Sequence, residues 1–380
     1  MTSETQWVNE IYEKMEQKLY AECARMGEKI PYWTVGGVYE EDYAKKDIYW
    51  WTNGFWSGIL WQLYHATKNE LYLETARKNE DLLDQALHGF IGLHHDTGFM
   101  WLHSAVADYR LTGSEEARVR GLNAASVLAG RYNPNGKFIR AWNPECVEEG
   151  EDCTGWIIVD SMMNIPLLYW ASQITGDPRF QQIAVNHADT VASYLVREDG
   201  SCGHIACINP DTGELEHILG GQGYSETSSW SRGQSWILYG FALSYRYTKN
   251  KKYLDIAKKT AHYFISNIAL TGYIPLCDFR QPASAAYTDT SAGLCAACGL
   301  LEIAEHVDEC EKNLYRTYAE LILKHTAETC CDWNPDTDGI VQNCKVAFHN
   351  DRREQTDLIY ADYFLTEAVL RLLGKDFLIW

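Results

Sequence analysis

Two aspartates stand in settings that invite acid–base chemistry: Asp96 in His94-His95-Asp96-Thr97-Gly98-Phe99, and Asp160 at the end of Trp156-Ile157-Ile158-Val159-Asp160. If the two carboxyls lie close together, like charge disfavours double ionisation, and one of them keeps its proton near neutral pH. A held proton beside a carboxylate serves glycoside cleavage, and equally the protonation of a carbon–carbon double bond. Spacing alone does not choose between these reactions. Four more clusters mix rings, hydroxyls, an arginine and carboxylates: Trp50 to Trp56, Ser229 to Trp236 with Arg232 at its centre, Tyr287-Thr288-Asp289-Thr290-Ser291, and Tyr360-Ala361-Asp362-Tyr363. That mixture suits a sugar, whose C–H faces stack on rings while its hydroxyls need polar partners.

Each cluster also has a structural reading. Asp160 and Asp289 stand where N-caps stand, and Trp51 and Trp236 taken singly are ordinary core residues. His94, His95 and His103 lack the carboxylate or histidine at i, i+4 spacing that completes a metal site, so no metal ligand is expected. The pair Cys295-Ala296-Ala297-Cys298 sits in an apolar run with no second Cys/His pair, and reads as buried thiols rather than a redox or metal pair.

The elements that must position these groups are read from a repeat. Thr67-Lys68-Asn69, Thr112-Gly113-Ser114, Thr175-Gly176-Asp177 and Thr248-Lys249-Asn250 each end one helix, turn, and cap the next. Helices that follow the turn are amphipathic: Phe180, Ile183, Ala184, His187 and Val191 share one face, as do Tyr253, Ile256, Ala257, Thr260 and Phe264. Helices that precede it are apolar on more sides. The pattern predicts twelve helices, at about 4–26, 54–66, 69–90, 98–111, 114–132, 160–174, 177–197, 230–247, 250–268, 289–305, 308–330 and 359–373. Six buried helices alternating with six outer ones imply an all-α fold, an (α/α)6 barrel of six helical hairpins. Short strands are expected in loops at 138–142 and 202–208, at the active-site end. The repeats are spaced unevenly, which fits a closed ring with loop insertions better than a uniform solenoid. No Pro/Gly/Ser-rich linker divides residues 1–380, so one domain is expected. In such a ring all inner helices start at one end, and the six clusters should converge on one mouth.

Charge narrows the partners. The formal net charge of −19 excludes the clustered basic surface that nucleic acid requires. An anion site must therefore be local, built from a few Arg, His and helix N-terminal N–H groups. The start of the chain has neither a basic cluster nor an apolar run, and no stretch is long and apolar enough for a membrane span. Twelve cysteines in that setting read as reduced thiols of a cytoplasmic protein. A monomer or weak homo-oligomer is expected.

The HHDxGF element at 94–99, Trp51-Thr52-Asn53-Gly54-Phe55-Trp56-Ser57-Gly58, Ile157-Ile158-Val159-Asp160, Trp230-Ser231-Arg232-Gly233-Gln234-Ser235-Trp236 and Asp362-Tyr363 together resemble the unsaturated glucuronyl hydrolases of glycoside hydrolase family 88, in order and over nearly the whole chain. The resemblance implies hydration of the C4=C5 double bond of an unsaturated uronic acid at the non-reducing end of lyase-generated oligosaccharides, with glycosaminoglycan disaccharides the leading substrates and no cofactor. It implies Asp160 as general acid/base and Asp96 as the second carboxylate. Trp51, Trp142 and Trp236 would be ring platforms, and His95, His204, Gln222, Arg232 and Tyr363 polar contacts. Asn53 departs from the pattern where relatives carry Asp, and the loop at 347–357, with Arg352 and Arg353, matches no substrate-contacting loop. Sulfate pairing and a solvated turn both remain open for these two arginines. The rival readings are a rhamnogalacturonyl hydrolase on pectin fragments, a sugar 2-epimerase on the same barrel, and a mouth that binds sugar without catalysis.

Overall fold

The computed structural model describes residues 3–350 and 356–380. Arg352 and Arg353 lie outside the described residues. The threonine of each repeat does two jobs at the turn. Thr67, Thr112, Thr175 and Thr248 donate their hydroxyls to the carbonyl four residues back, and accept from the backbone N–H two residues on. The next helix is then capped by Asn69, Ser114, Asp177 or Asn250. Lys68, Gly113, Gly176 and Lys249 at the junctions are left-handed, which reverses the chain between an inner and an outer helix.

The long helices are α1 (Ser3–Met26), α2 (Phe55–Thr67), α3 (Glu70–Gly89), α4, α5 (Glu115–Ala129), α6, α7 (Pro178–Tyr194), α8 (Ser231–Thr248), α9 (Lys251–Ile268), α10 (Thr290–Ala304), α11 (Glu309–Thr329) and α12 (Ile359–Leu373). Helix α4 runs through Thr97–Trp101, a π-helical stretch Leu102–Val106, and Ala107–Thr112; α6 is Ser161–Asn164 continued by Pro166–Thr175. The even-numbered helices pack in a closed ring in the order α2, α4, α6, α8, α10, α12 and back to α2. They are buried on all sides; every residue of α10 is buried. Each odd-numbered helix backs an even one with a single apolar face, and α1 packs on α12, so the first hairpin partner belongs to the last inner helix. This is the expected (α/α)6 barrel, with helix bounds within a few residues of those read from periodicity.

Inner helices approach closely where glycine replaces a side chain. A Cβ on Gly98 would sit 2.4 Å from the backbone of Asn164, and one on Gly54 2.4 Å from the Met100 carbonyl oxygen. The far end of the barrel is filled by the tail: the Trp380 ring packs among Phe99, His103, Tyr363 and Phe364.

Five short strands decorate the opposite end. β1 (Tyr132–Asn133) pairs with β2 (Phe138–Ile139), and β3 (Trp156–Ile158), β4 (Ile205–Ile208) and β5 (Leu215–Leu219) form an antiparallel sheet in that order. Sequence patterning anticipated β2 and β4 but not β3, whose three residues run directly into an inner helix, nor β5, a largely exposed edge strand whose apolar residues do not alternate. Among the described residues no helix is long and apolar enough to cross a membrane.

Candidate active site

The starts of the inner helices enclose a cleft of about 440 Å³. Five of the six sequence clusters line it, through Trp50 and Trp51, His94, Asp96 and Phe99, Ile158 and Asp160, Trp230, Arg232 and Trp236, and Tyr360. The cluster at Asp289 stands behind the wall, where its carboxylate receives Arg232. Trp142 and Gln222 enter from loops, and Tyr32, Asp47, Glu145, Cys146 and Val346 complete the lining.

Asp160 is aimed by the small sheet. β3 pairs with β4 in the register Ile157↔Ala206, and the Val159 N–H donates to the His204 carbonyl (3.0 Å), so the chain leaves the sheet and enters α6 at Asp160. Asp96 is aimed from the other side by the turn before α4, where the His95 N–H donates to the Ala141 carbonyl (3.1 Å). Arg131 ties that turn to the Trp142 loop, giving its N–H groups to the carbonyls of Leu93, Arg140, Ala141 and Trp142 and to Asn143 Oδ1. Neither aspartate caps its helix, and neither does Asp289. The structural reading of these acids as simple caps is therefore set aside.

Instead, Asp96 and Asp160 hydrogen-bond each other, and the charge of Asp160 bears directly on Asp96. Asp96 is only 5% exposed. Burial first, then the charge of Asp160, raises its pKa well above the ordinary carboxylate value, against the Asn164 amide that donates to Asp96 Oδ1 at 2.8 Å. Asp160 is pushed up to about 6 by burial, held down from a higher value by its bond to Asp96 and by the charge of Arg232. Near neutrality the pair therefore holds one proton.

The surrounding histidines are neutral. His95 is 1% exposed, stands behind the carboxylates rather than on the cleft wall, and places Nε2 3.5 Å from Asp96 Oδ1 and 3.4 Å from Asp160 Oδ2. Burial drives its pKa well below the usual value. His94 and His204 are lowered to about 4 for the same reason. His204 is also off the wall; its Nδ1 accepts from the Gln222 N–H at 2.9 Å and its ring lies 4.5 Å from Trp230. Gln222 is fixed in turn by donation to the Val346 carbonyl (2.8 Å).

Arg232 is 1% exposed and is the single Lys or Arg among the described residues lining the cleft. It donates to Asp289, to Ser291 Oγ and to the carbonyls of Lys345 and Val346, and its guanidinium lies over the Trp230 and Tyr360 rings at 4.6 and 5.3 Å. Its charge is thus largely answered by the protein.

Tyr363 departs from expectation. It is fully buried, away from the cleft, against Phe55, His103, Phe364 and Trp380. Tyr360, one turn nearer the start of α12, takes the cleft position; three residues of helix are about 4.5 Å of depth. Asn53 is buried too, donating to the Asp47 and Ile48 carbonyls and bracing the loop before α2. His103, grouped by sequence with His94 and His95, lies in the barrel core on the Phe99 carbonyl. Cys295 and Cys298 are buried free thiols. Sequence reasoning missed Asn164, although its i+4 spacing from Asp160 on one helix face was a usable signal. It also missed Tyr32 and Asp47, which lie in a segment without periodicity and offered none.

The sequence pattern of Glycosyl Hydrolase Family 88 matches residues 28–271. The chain belongs to that family. Across its length this family 88 member is 36% identical to an unsaturated glucuronyl hydrolase of Bacillus sp. (strain GL1), covering 92% of each chain. It is 32% identical to an unsaturated chondroitin disaccharide hydrolase of Streptococcus agalactiae, covering 98% of this chain and 93% of the relative. The crystal structure of the Bacillus sp. GL1 unsaturated glucuronyl hydrolase superposes with a TM-score of 0.90 at 32% identity, over 96% of both chains. A Streptococcus agalactiae unsaturated glucuronyl hydrolase variant complexed with dGlcA-GalNAc6S superposes at 0.83 and 29% identity, over 98% of this chain and 93% of the other.

Proposed function

We propose that this glycoside hydrolase is an unsaturated glucuronyl hydrolase, which removes a 4,5-unsaturated uronic acid from the non-reducing end of glycosaminoglycan disaccharides. The observation that carries the reading is the meeting of the Asp96 and Asp160 carboxyls in a ring-lined cleft. The relatives' names and the dGlcA-bearing complex support the substrate class.

In this reading Trp51, Trp142 and Trp236 present rings to the sugar faces, and Gln222 and Arg232 are the polar groups nearest the uronate. His95 and His204 act from behind, the first on the acid pair and the second on the Gln222 backbone. Tyr363 shapes the floor beneath Phe55 instead of touching sugar. Asp160, the more exposed carboxyl, receives the shared proton across its bond to Asp96 and gives it to C4. Now a carboxylate, it takes a proton from water as the hydroxide adds to C5. The pair ends with one proton, as it began, and water has added across C4=C5. The hemiketal formed at C5 opens the ring, and the shortened sugar leaves.

The test follows the loss of ultraviolet absorbance of the double bond with unsaturated chondroitin, hyaluronan, heparin and rhamnogalacturonan disaccharides. Glycosaminoglycan disaccharides should be consumed, and Asp160→Asn should lower kcat by about 10² to 10⁴ while disaccharide binding persists. Unchanged turnover in Asp160→Asn would remove this residue from its role; consumption of the rhamnogalacturonan substrate alone would redirect the substrate class. The barrel's domain unity and an intracellular, monomeric or weakly associating state belong to the same reading; sedimentation of the purified chain tests the last.

A further inference from the structure

The side chains that hold the proton have a second geometry in common. His94 Nδ1 lies 3.4 Å from Asp96 Oδ2, His95 Nε2 lies 3.5 Å from Asp96 Oδ1, and the same His95 nitrogen lies 3.4 Å from Asp160 Oδ2. One donor atom from each of His94, His95 and Asp96 can be chosen so that all lie within 4.8 Å of one another. Around a tetrahedral ion with ligand bonds of about 2.0–2.2 Å, neighbouring ligands stand about 3.3–3.6 Å apart. The three histidine–carboxylate separations fall in that range, through both oxygens of Asp96, and the Asp96 N–H, 3.4 Å from His94 Nδ1, holds that ring toward the group. A second observation is independent of the spacing: both ring nitrogens of His95 are buried without a hydrogen-bond partner among the described residues, and Nε2 is aimed between the two carboxylates.

We infer that His94, His95 and Asp96 form a three-ligand site for a zinc-class divalent transition ion, its fourth position open to the cleft beside Asp160, and that, on the activity proposed above, an ion there shuts down the acid pair. Two imidazoles and a carboxylate suit zinc, cobalt or nickel, and are poor ligands for magnesium or calcium, which take oxygen shells. An ion held through Asp96 engages a carboxylate that the proposed reaction needs, and the neighbouring Asp160 carboxylate adds negative charge beside it. His94, Asp96 and Asp160 face the cleft, which gives the ion its entry path. The site is therefore inhibitory, because a bound ion occupies Asp96 and stands in the path of any ligand that reaches Asp160.

Cobalt(II) is the probe, because its visible absorption reports coordination without any turnover. Titration of the chelator-treated full chain should give a saturating visible band at one equivalent. His94→Ala, at the half-buried edge of the group, should weaken binding about tenfold or more, and His95→Ala at least as much, in protein shown to be folded by circular dichroism. Zinc should block consumption of an unsaturated disaccharide over the concentration range in which it displaces cobalt, and a chelator should restore it. No band up to millimolar cobalt, or equal binding by wild type and His94→Ala, overturns the site. Binding at one equivalent with undiminished turnover overturns the inhibition. A protein that binds cobalt as expected but consumes no unsaturated disaccharide would fault the proposed activity and leave the metal site standing.

Discussion

Asn164 offers the sharpest handle on the acid pair, because its side chain bonds Asp96 and the Asp160 carbonyl (3.3 Å) from behind and does not itself line the cleft. Its amide donates to Asp96 Oδ1 at 2.8 Å, and its own Oδ1 accepts from the Phe99 N–H at 2.7 Å. A hydrogen bond to a charged group contributes about 1.5–3 kcal/mol and one to a neutral group about 1, so Asn164 favours ionised over neutral Asp96 by about 1–1.5 kcal/mol. At 1.36 kcal/mol per pKa unit, Asn164→Ala should raise the Asp96 pKa by about one unit. The sign is fixed by the bond: it lowers the Asp96 pKa in the native protein, so its loss raises it. The active form carries one proton on the pair. Its acid limb is the ionisation of Asp160 at about 6, and its alkaline limb is the loss of the last proton, which Asp96 governs. The kcat/KM profile of Asn164→Ala should therefore keep its acid limb near 6 and move its alkaline limb up by about one pH unit. The buried Phe99 N–H also loses its acceptor, at a cost of about 1–3 kcal/mol in stability. Asn164→Asp separates the two effects: it can still accept from Phe99 but brings a third acid to the pair, so the alkaline limb should rise further with less loss of stability. An alkaline limb that stays put or falls in both folded variants would refute the assignment of the held proton to this pair.

Removing Arg232 should expose its structural burden, since Arg232→Met leaves Asp289 buried without its partner. Urea unfolding should show a loss of about 3–5 kcal/mol, partly recovered in the double variant with Asp289→Asn. Trp142, half-buried on the cleft wall, should act through binding: Trp142→Ala should raise KM for an unsaturated disaccharide about tenfold, with kcat changing far less. Asp362, raised to about 7 by burial although the Ile340 and Val341 N–H groups donate to it, keeps a proton in the fold that the unfolded chain releases near 4. Its contribution to stability is full below about 4 and is lost as pH rises to about 7, so Asp362→Asn should flatten the fall of Tm over that window. Identical slopes would exclude it.

The barrel was legible because its signal is periodic and redundant. A helix wet on one face alternates with a helix buried on all faces, and four of the five inner-to-outer reversals are marked by the same Thr–x–Asn/Asp/Ser turn, where hydroxyl and cap act on neighbouring backbone groups. Convergence of the clusters followed from topology alone, since hairpins in a ring start their inner helices at one end. Depth within an inner helix was not legible. Tyr360 and Tyr363 share a face and a chemistry, and only the level of the cleft floor separates a wall residue from a core residue. Nor were the contributions of irregular chain readable: Asp47, Glu145 and Cys146 reach the cleft from segments whose course is set by long-range anchors such as Arg131. The strand β3 escaped notice because three apolar residues before a helix look like the helix itself.

How a carboxyl keeps a proton at neutral pH in this barrel is a matter of what surrounds it. A buried aspartate ionises readily when a cation stands beside it, and this site withholds one. His94 and His95 are the nearest basic groups, and burial drives both below the range in which they carry charge. Arg131 is close enough to lower the Asp96 pKa, yet its N–H groups are given to four carbonyls and an amide oxygen, and it ranks behind burial and Asp160 among the influences on Asp96. Arg232 acts on Asp160, not Asp96, and only after its charge has been met by Asp289. Desolvation therefore prevails at Asp96, while the more open Asp160, with Arg232 in range, is left nearer to ionisation. The difference between the two acids lies first in the bond they share, which raises Asp96 and lowers Asp160, and then in the arginine each can feel; that asymmetry gives the shared proton a direction, from the buried carboxyl toward the cleft.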